Sequence, residues 1–155
     1  MEFTYDEVLP EISLHAIIGS LHPKTMKVLG WIGGQKVVVL IDSGSTHNFV
    51  DTLICKIAHL LVQKDQRIRV RVANWELVVN EGNCLKVLVQ LSGFSFLTDT
   101  HLISLAGCNM VLGIQWLVTL GSIAWDFRAL IMEFTITEEI IMLQGLATPN
   151  LWEET

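Results

Sequence analysis

Along this chain, short apolar runs alternate with tight clusters of turn-forming residues. Residues 27–32 and 35–41 are two such runs, joined by Gly33-Gly34. Two glycines between extended runs predict a tight hairpin, because both turn positions need positive φ. The second run, Gln35-Lys36-Val37-Val38-Val39-Leu40-Ile41, is almost wholly apolar, so its strand is expected to be buried on both faces. It ends in Asp42-Ser43-Gly44-Ser45-Thr46, a cluster of turn formers. Residues 67–72 (Arg-Ile-Arg-Val-Arg-Val) alternate strictly and predict a half-exposed strand, followed by a turn over 73–76 and extended chain over 77–79. Further strands are expected over 84–91 and 94–105, broken at Ser92-Gly93, and at Met110-Val111-Leu112-Gly113. Three more fall over 123–127, 130–136 and 140–143.

Two segments carry helical spacing. Apolar residues at Phe49, Val50, Leu53, Ile54, Ile57, Leu60 and Leu61 suit a short amphipathic helix over 48–61, with Asn48 as its N-cap. Residues 114–120 predict a single short helix stopped by Gly121. About nine short strands with two small helices imply an all-β barrel or sandwich. No short repeat or interdomain linker interrupts the pattern. We expect one domain over residues 12–146, with frayed or extended tails at 1–11 and 147–155. Trp31, Trp116 and Trp125 lie beside apolar runs and are expected in the core.

Composition narrows the class. The chain has 155 residues, 51% of them hydrophobic, which is ample for one packed core. A net charge of −6 and scattered lysines and arginines argue against binding nucleic acid, which needs a clustered basic surface. The three cysteines, Cys55, Cys84 and Cys108, form no C-x-x-C pair and suggest reduced, buried thiols. The five histidines show no joint metal spacing, so no metal or other cofactor is expected. The acidic start lacks a basic n-region, and no apolar run approaches the ~20 residues of a membrane helix, so the expected setting is cytoplasmic.

The chemistry lies in Asp42-Ser43-Gly44-Ser45. A buried strand places the Asp42 carboxylate in low dielectric. Gly44 lets its N–H approach a carboxylate oxygen without an intervening Cβ. Ser43 can brace the loop against a partner loop, and Ser45 can donate a hydrogen bond to the outer carboxylate oxygen. One aspartate makes a poor peptide hydrolase, whereas two in contact share a proton and act as general base and general acid. Asp6, Asp51, Asp65, Asp99 and Asp126 lack the same context, so the second carboxylate must come from another copy of the chain by two-fold symmetry. Roughly 70 residues on, Val111-Leu112-Gly113 offers the strand needed beneath the Asp42 loop. Asp126, between two aromatics, is expected to be a strand-end carboxylate. His47 is expected to be a solvent-facing residue at the helix entry.

Together these residues resemble the retropepsin-like protease domain of plant Ty3/gypsy-type retrotransposon polyproteins, over about residues 12–146. The resemblance rests on Leu40-Ile41-Asp42-Ser43-Gly44-Ser45-Thr46-His47-Asn48-Phe49, Val111-Leu112-Gly113-Ile114-Gln115-Trp116-Leu117, Trp125-Asp126-Phe127 and Met132-Glu133-Phe134, in order and spacing. It implies an all-β, closed retropepsin-like barrel that works as a homodimer, with a flap over the cleft. It implies Asp42 as the catalytic aspartate of an endopeptidase that cuts a Gag-Pol polyprotein, and a domain taken from a longer chain. The flap falls near Ala73, Asn74, Trp75 and Glu76, where the family tends to place glycine instead of Trp75. The family usually has aspartate where this chain has Asn109, and a glycine turn where it has Thr137-Glu138-Glu139.

Two other readings stand beside this one. The departures at Trp75 and Asn109 allow a non-catalytic dimerisation or peptide-binding module on the same fold. An unrelated β-barrel with a chance Asp-Ser-Gly turn is the third. If the dyad operates, a mildly acidic optimum is expected, because a shared proton is held best there.

Overall fold

The structure, a computed structural model, describes residues 9–13, 16–17, 25–64, 69–72 and 77–147, with 77–79 by backbone alone. Its strands are β1 (Glu11–Ile12), β2 (Thr25–Ile32), β3 (Gln35–Asp42), β4 (Phe49–Asp51), β5 (Arg69–Val72), β6 (Leu77–Val79), β7 (Asn83–Leu91), β8 (Phe94–Ile103), β9 (Met110–Leu112), β10 (Ile123–Asp126), β11 (Ile131–Ile136) and β12 (Glu139–Gln144). Helix α1 (Thr52–Ile57) follows β4. Helix α2 (Ile114–Leu117) runs into a 3-10 turn (Val118–Leu120) that stops at Gly121 with φ 74°.

Six strands close a barrel in the order β2-β3-β9-β4-β8-β7. Closure comes from β2, which pairs β3 along its length and β7 at Trp31 and Ile32. The β2–β3 hairpin turns at Gly33-Gly34 with φ of 56° and 79°, as the double glycine predicts. Strand β9 lies between β3, which it pairs in parallel, and β4, which it pairs antiparallel. The barrel interior holds Val39, Ile41, Val89, Leu91, Met110 and Leu112, all fully buried. Strands β10, β11 and β12 form a separate sheet whose Met132, Phe134 and Leu143 join this core.

A second apolar cluster explains why β3 is buried on both faces. Leu40, Phe49 and Val111 point out of the barrel and meet Ile12, Val70 and Val72 from the small β1-β5-β6 sheet. Glu11 and Ile12 pair in parallel with Arg71 and Val72. The chain is therefore tied into the fold by residue 11, where the sequence leads us to expect a tail.

Two further expectations are corrected. Residues 48–61 do not form one helix capped by Asn48. Phe49–Asp51 pairs with β8 and β9, and α1 begins only at Thr52, capped by Asp51, whose carboxylate accepts the Leu53 N–H at 3.1 Å. Apolar spacing there suits either element, and the two neighbouring strands decide for extended chain. Trp31 is 47% exposed, because Gly30 and Ile32 take the inward positions of β2. Trp116 is buried and stacks on Phe96, as expected of a core residue. Trp125 is part-buried and stacks on Phe127. All three cysteines are free and buried, with Cys55 and Cys84 sulfurs 3.8 Å apart.

Candidate active site

Asp42 is the last residue of β3, and its side chain is 3% exposed. The strand is held by β2 on one side and β9 on the other, so the carboxylate is fixed at the point where the sheet ends. The chain then turns, with the Ser45 N–H donating to the Asp42 carbonyl at 3.2 Å. Oδ1 accepts the Gly44 N–H at 2.9 Å. A Cβ on Gly44 would sit 3.1 Å from that oxygen, so the glycine clears the approach. Oδ2 accepts the Ser45 hydroxyl at 3.0 Å and the Ser13 hydroxyl at 2.5 Å. Ser43 and Gly44 face solvent in the single chain.

The loop rests on the end of β9. The N–H groups of Ile114 and Gln115 donate to the Ser45 and Thr46 carbonyls at 2.8 and 2.9 Å. Buried Asn48 accepts the Gly113 N–H on Oδ1 at 3.0 Å and donates through Nδ2 to the Thr98 hydroxyl at 2.7 Å. A Cβ on Gly113 would collide with the Ser45 and His47 carbonyl oxygens, so glycine is required where the strand passes the loop. Val111 and Leu112 are fully buried, Val111 in the outer cluster and Leu112 in the barrel core. They support the loop from below.

Other candidates are distributed differently. Ala73, Asn74, Trp75 and Glu76 lie outside the described residues. Asn109 does not adjoin Asp42. It precedes β9 and its Oδ1 accepts the Val38 N–H at 2.7 Å, four residues back along β3, about 13 Å away at ~3.3 Å per residue. The departure at Asn109 therefore lies beside the middle of β3, away from the Asp42 carboxylate. Asp51, Asp99 and Asp126 each accept backbone N–H groups elsewhere: Leu53 and Leu105, Lys86, and Arg128 with Ala129.

His47 precedes a strand and is part-buried, so it is no solvent-facing helix entry. Its ring meets His101 edge-on at 5.5 Å, and its Nδ1 lies 2.8 Å from the Thr46 hydroxyl. Burial lowers the His47 pKa. Burial, and secondarily the neighbouring His47, pushes His101 down to about 4. Burial pushes the Cys84 thiol up to about 12 and Cys108 to about 11, so neither suits a nucleophile.

Ser13 is the residue that sequence reasoning misses. Nothing in the spacing of Ile12-Ser13-Leu14 links it to a loop some thirty positions later. The pairing of β1 with β5 and the bonds between Glu11 and Thr46 bring it there.

A family model described as "Retroviral aspartyl protease" matches residues 23–133, well over half of the chain. The chain belongs to the retroviral aspartyl protease family. Among solved structures it is similar to the retroviral protease-like domain of Ddi1 from Leishmania major. That likeness has a TM-score of 0.63 at 17% identity and covers 83% of this chain and 98% of the other. At that identity it supports the fold: a retropepsin-like, closed barrel. No curated protein matches the sequence. No helix among the described residues is long and apolar enough to cross a membrane.

Proposed function

We propose that this domain is a homodimeric aspartic endopeptidase in which Asp42 from each of two copies forms the catalytic pair. One observation carries the reading. Asp42 is a buried carboxylate at a strand end, its two oxygens held by Gly44, Ser45 and Ser13, while the other described aspartates are engaged with backbone elsewhere. Such a carboxylate is fixed in place but has no acidic partner within its own chain among the described residues. A second copy would supply it. One carboxylate then takes a proton from a water as it attacks the peptide carbonyl, and the other donates its proton to the carbonyl oxygen. The solvent-facing Ser43 and Gly44 suit contact with the partner's loop. The substrate lies extended in the cleft, as an added strand.

The finer reading follows the resemblance: cleavage of a Gag-Pol polyprotein from a plant Ty3/gypsy-type retrotransposon, in the cytoplasm. Residues 73–76 then serve as the flap. The second reading, a dimerisation or peptide-binding module that no longer cuts, rests chiefly on Trp75, since Asn109 lies away from Asp42.

The test is cleavage of a mixed peptide library at pH 5 by wild type and Asp42→Asn, over a range of protein concentrations. The expected result is cleavage by wild type alone, blocked by a pepstatin-type inhibitor. The rate should rise with the square of concentration where monomer prevails. A folded, dimeric wild type that cuts nothing favours the binding module, and Trp75→Gly is then the variant in which to seek activity.

A further inference from the structure

Ser13 and Ser45 differ in origin but hold the same oxygen. Each serine hydroxyl has one proton to give and lone pairs with which to accept. The Ser45 hydroxyl accepts the Ser13 N–H at 3.0 Å, and the Ser13 hydroxyl accepts the Ala16 N–H at 3.1 Å. A backbone N–H can only donate. Each hydroxyl thus accepts one backbone N–H and directs its own proton at Asp42 Oδ2. A carboxyl proton placed on Oδ2 would leave that oxygen one lone pair for two incoming donors. Oδ1 meets a single donor, the Gly44 N–H. The two carboxylate oxygens are thus unequal within one chain.

We propose that Ser13 is a positioning residue for Asp42. With Ser45 it reserves Oδ2 as the fixed oxygen and leaves Oδ1 to take up and release the catalytic proton. This rests on the protease reading above. The segment is built for the task. The Thr46 N–H donates to the Glu11 carbonyl at 2.8 Å, the Glu11 N–H donates to the Thr46 hydroxyl at 2.7 Å, and the Arg71 N–H donates to the Pro10 carbonyl at 2.8 Å. Residues 10–13 therefore join the catalytic loop to β5, and Ser13 is itself buried. A surface tail would have no such double attachment.

Two measurements test this. The first compares kcat, KM and the pH–rate profile of wild type, Ser13→Ala and Ser13→Thr. We expect Ser13→Ala to lower kcat about tenfold to a hundredfold, the range for losing a hydrogen bond to a charged group, with KM within about twofold. Its pH profile should shift on the limb set by the carboxylate pair, and Ser13→Thr should restore most of kcat. Wild-type kcat and pH profile in Ser13→Ala, or a loss that Ser13→Thr leaves unrepaired, overturns the proposal. The second is a double-mutant cycle of Ser13→Ala and Asp42→Ala by urea unfolding, which needs no activity. In the Asp42→Ala background, Ser13→Ala should have less than about half its wild-type effect on stability. Additive effects overturn the coupling. A wild type without activity but with a strong coupling retires the protease reading and keeps the Ser13–Asp42 bond; activity without coupling does the reverse.

Discussion

At Gly113 a single hydrogen atom in place of a methyl decides whether the loop and the strand beneath it can coexist. The atoms a Cβ would meet are backbone carbonyls, and the Ser45 carbonyl is pinned by the Ile114 N–H at 2.8 Å. Moving the Ser45 carbonyl would break that bond. Gly113→Ala is therefore expected to cost about 2–3 kcal/mol, at the upper end for overpacking, and, on the protease reading proposed above, to abolish cleavage. A urea midpoint equal to wild type would contradict this packing. The Asp42-Ser43-Gly44-Ser45 arrangement is legible in sequence because Gly44 and Ser45 lie within three residues of the carboxylate they hold. Ser13 and Asn48 are not, since their partners lie 29 and 65 positions away in the chain. Short polar residues in such places look like ordinary turn or cap residues, as Asn48 does.

Hairpins were the most legible elements, because two-residue turns demand a backbone that few residues accept. The β7–β8 turn falls at Ser92-Gly93, with Leu91 opposite Phe94, as the break in the apolar pattern suggests. The β11–β12 turn departs from that rule. Thr137 and Glu138 both have positive φ, 49° and 66°, between the paired Ile136 and Glu139. Left-handed backbone costs a non-glycine residue about 1–2 kcal/mol, and a β-branched threonine tolerates it poorly. Replacing both, Thr137→Asn with Glu138→Gly, should raise stability by about 1 kcal/mol, after the entropy lost at the new glycine. A thermal midpoint that stays level or falls would show that the turn is not strained. Helix α1 was less legible, because β4 needed its tertiary partners to be told from a helix start.

For the whole molecule, acidity should matter in two opposed ways. The His101 pKa is lowered to about 4 by burial and, secondarily, by His47. In the unfolded chain it returns to about 6.5. The folded state therefore binds fewer protons between those values. Stability from this residue is fully present above about pH 6.5 and is lost as pH falls toward 4. Because the ring is only part-buried, the loss should be on the order of 1–2 kcal/mol once solvent screening is allowed for. Urea midpoints at pH 7 and pH 4.5 should differ more for wild type than for His101→Asn. An equal difference would exclude His101 as the source. The same mildly acidic range is where a carboxylate pair works best, so an active enzyme would gain activity and lose stability together.

The sequence by itself determined the class of fold, the barrel hairpins and the identity of the loop that ends β3. Those depend on local properties: apolar runs that must be buried, glycines where φ is positive, a carboxylate between a buried strand and a turn. Tertiary structure decided the rest. It placed β9 between β3 and β4, turned Trp31 outward, converted Asn48 from a helix cap to a stitch between loop and strand, and brought Ser13 to Asp42. Each of these depends on contacts between residues distant in the chain, where burial and hydrogen-bond satisfaction outweigh the weak preferences of local sequence.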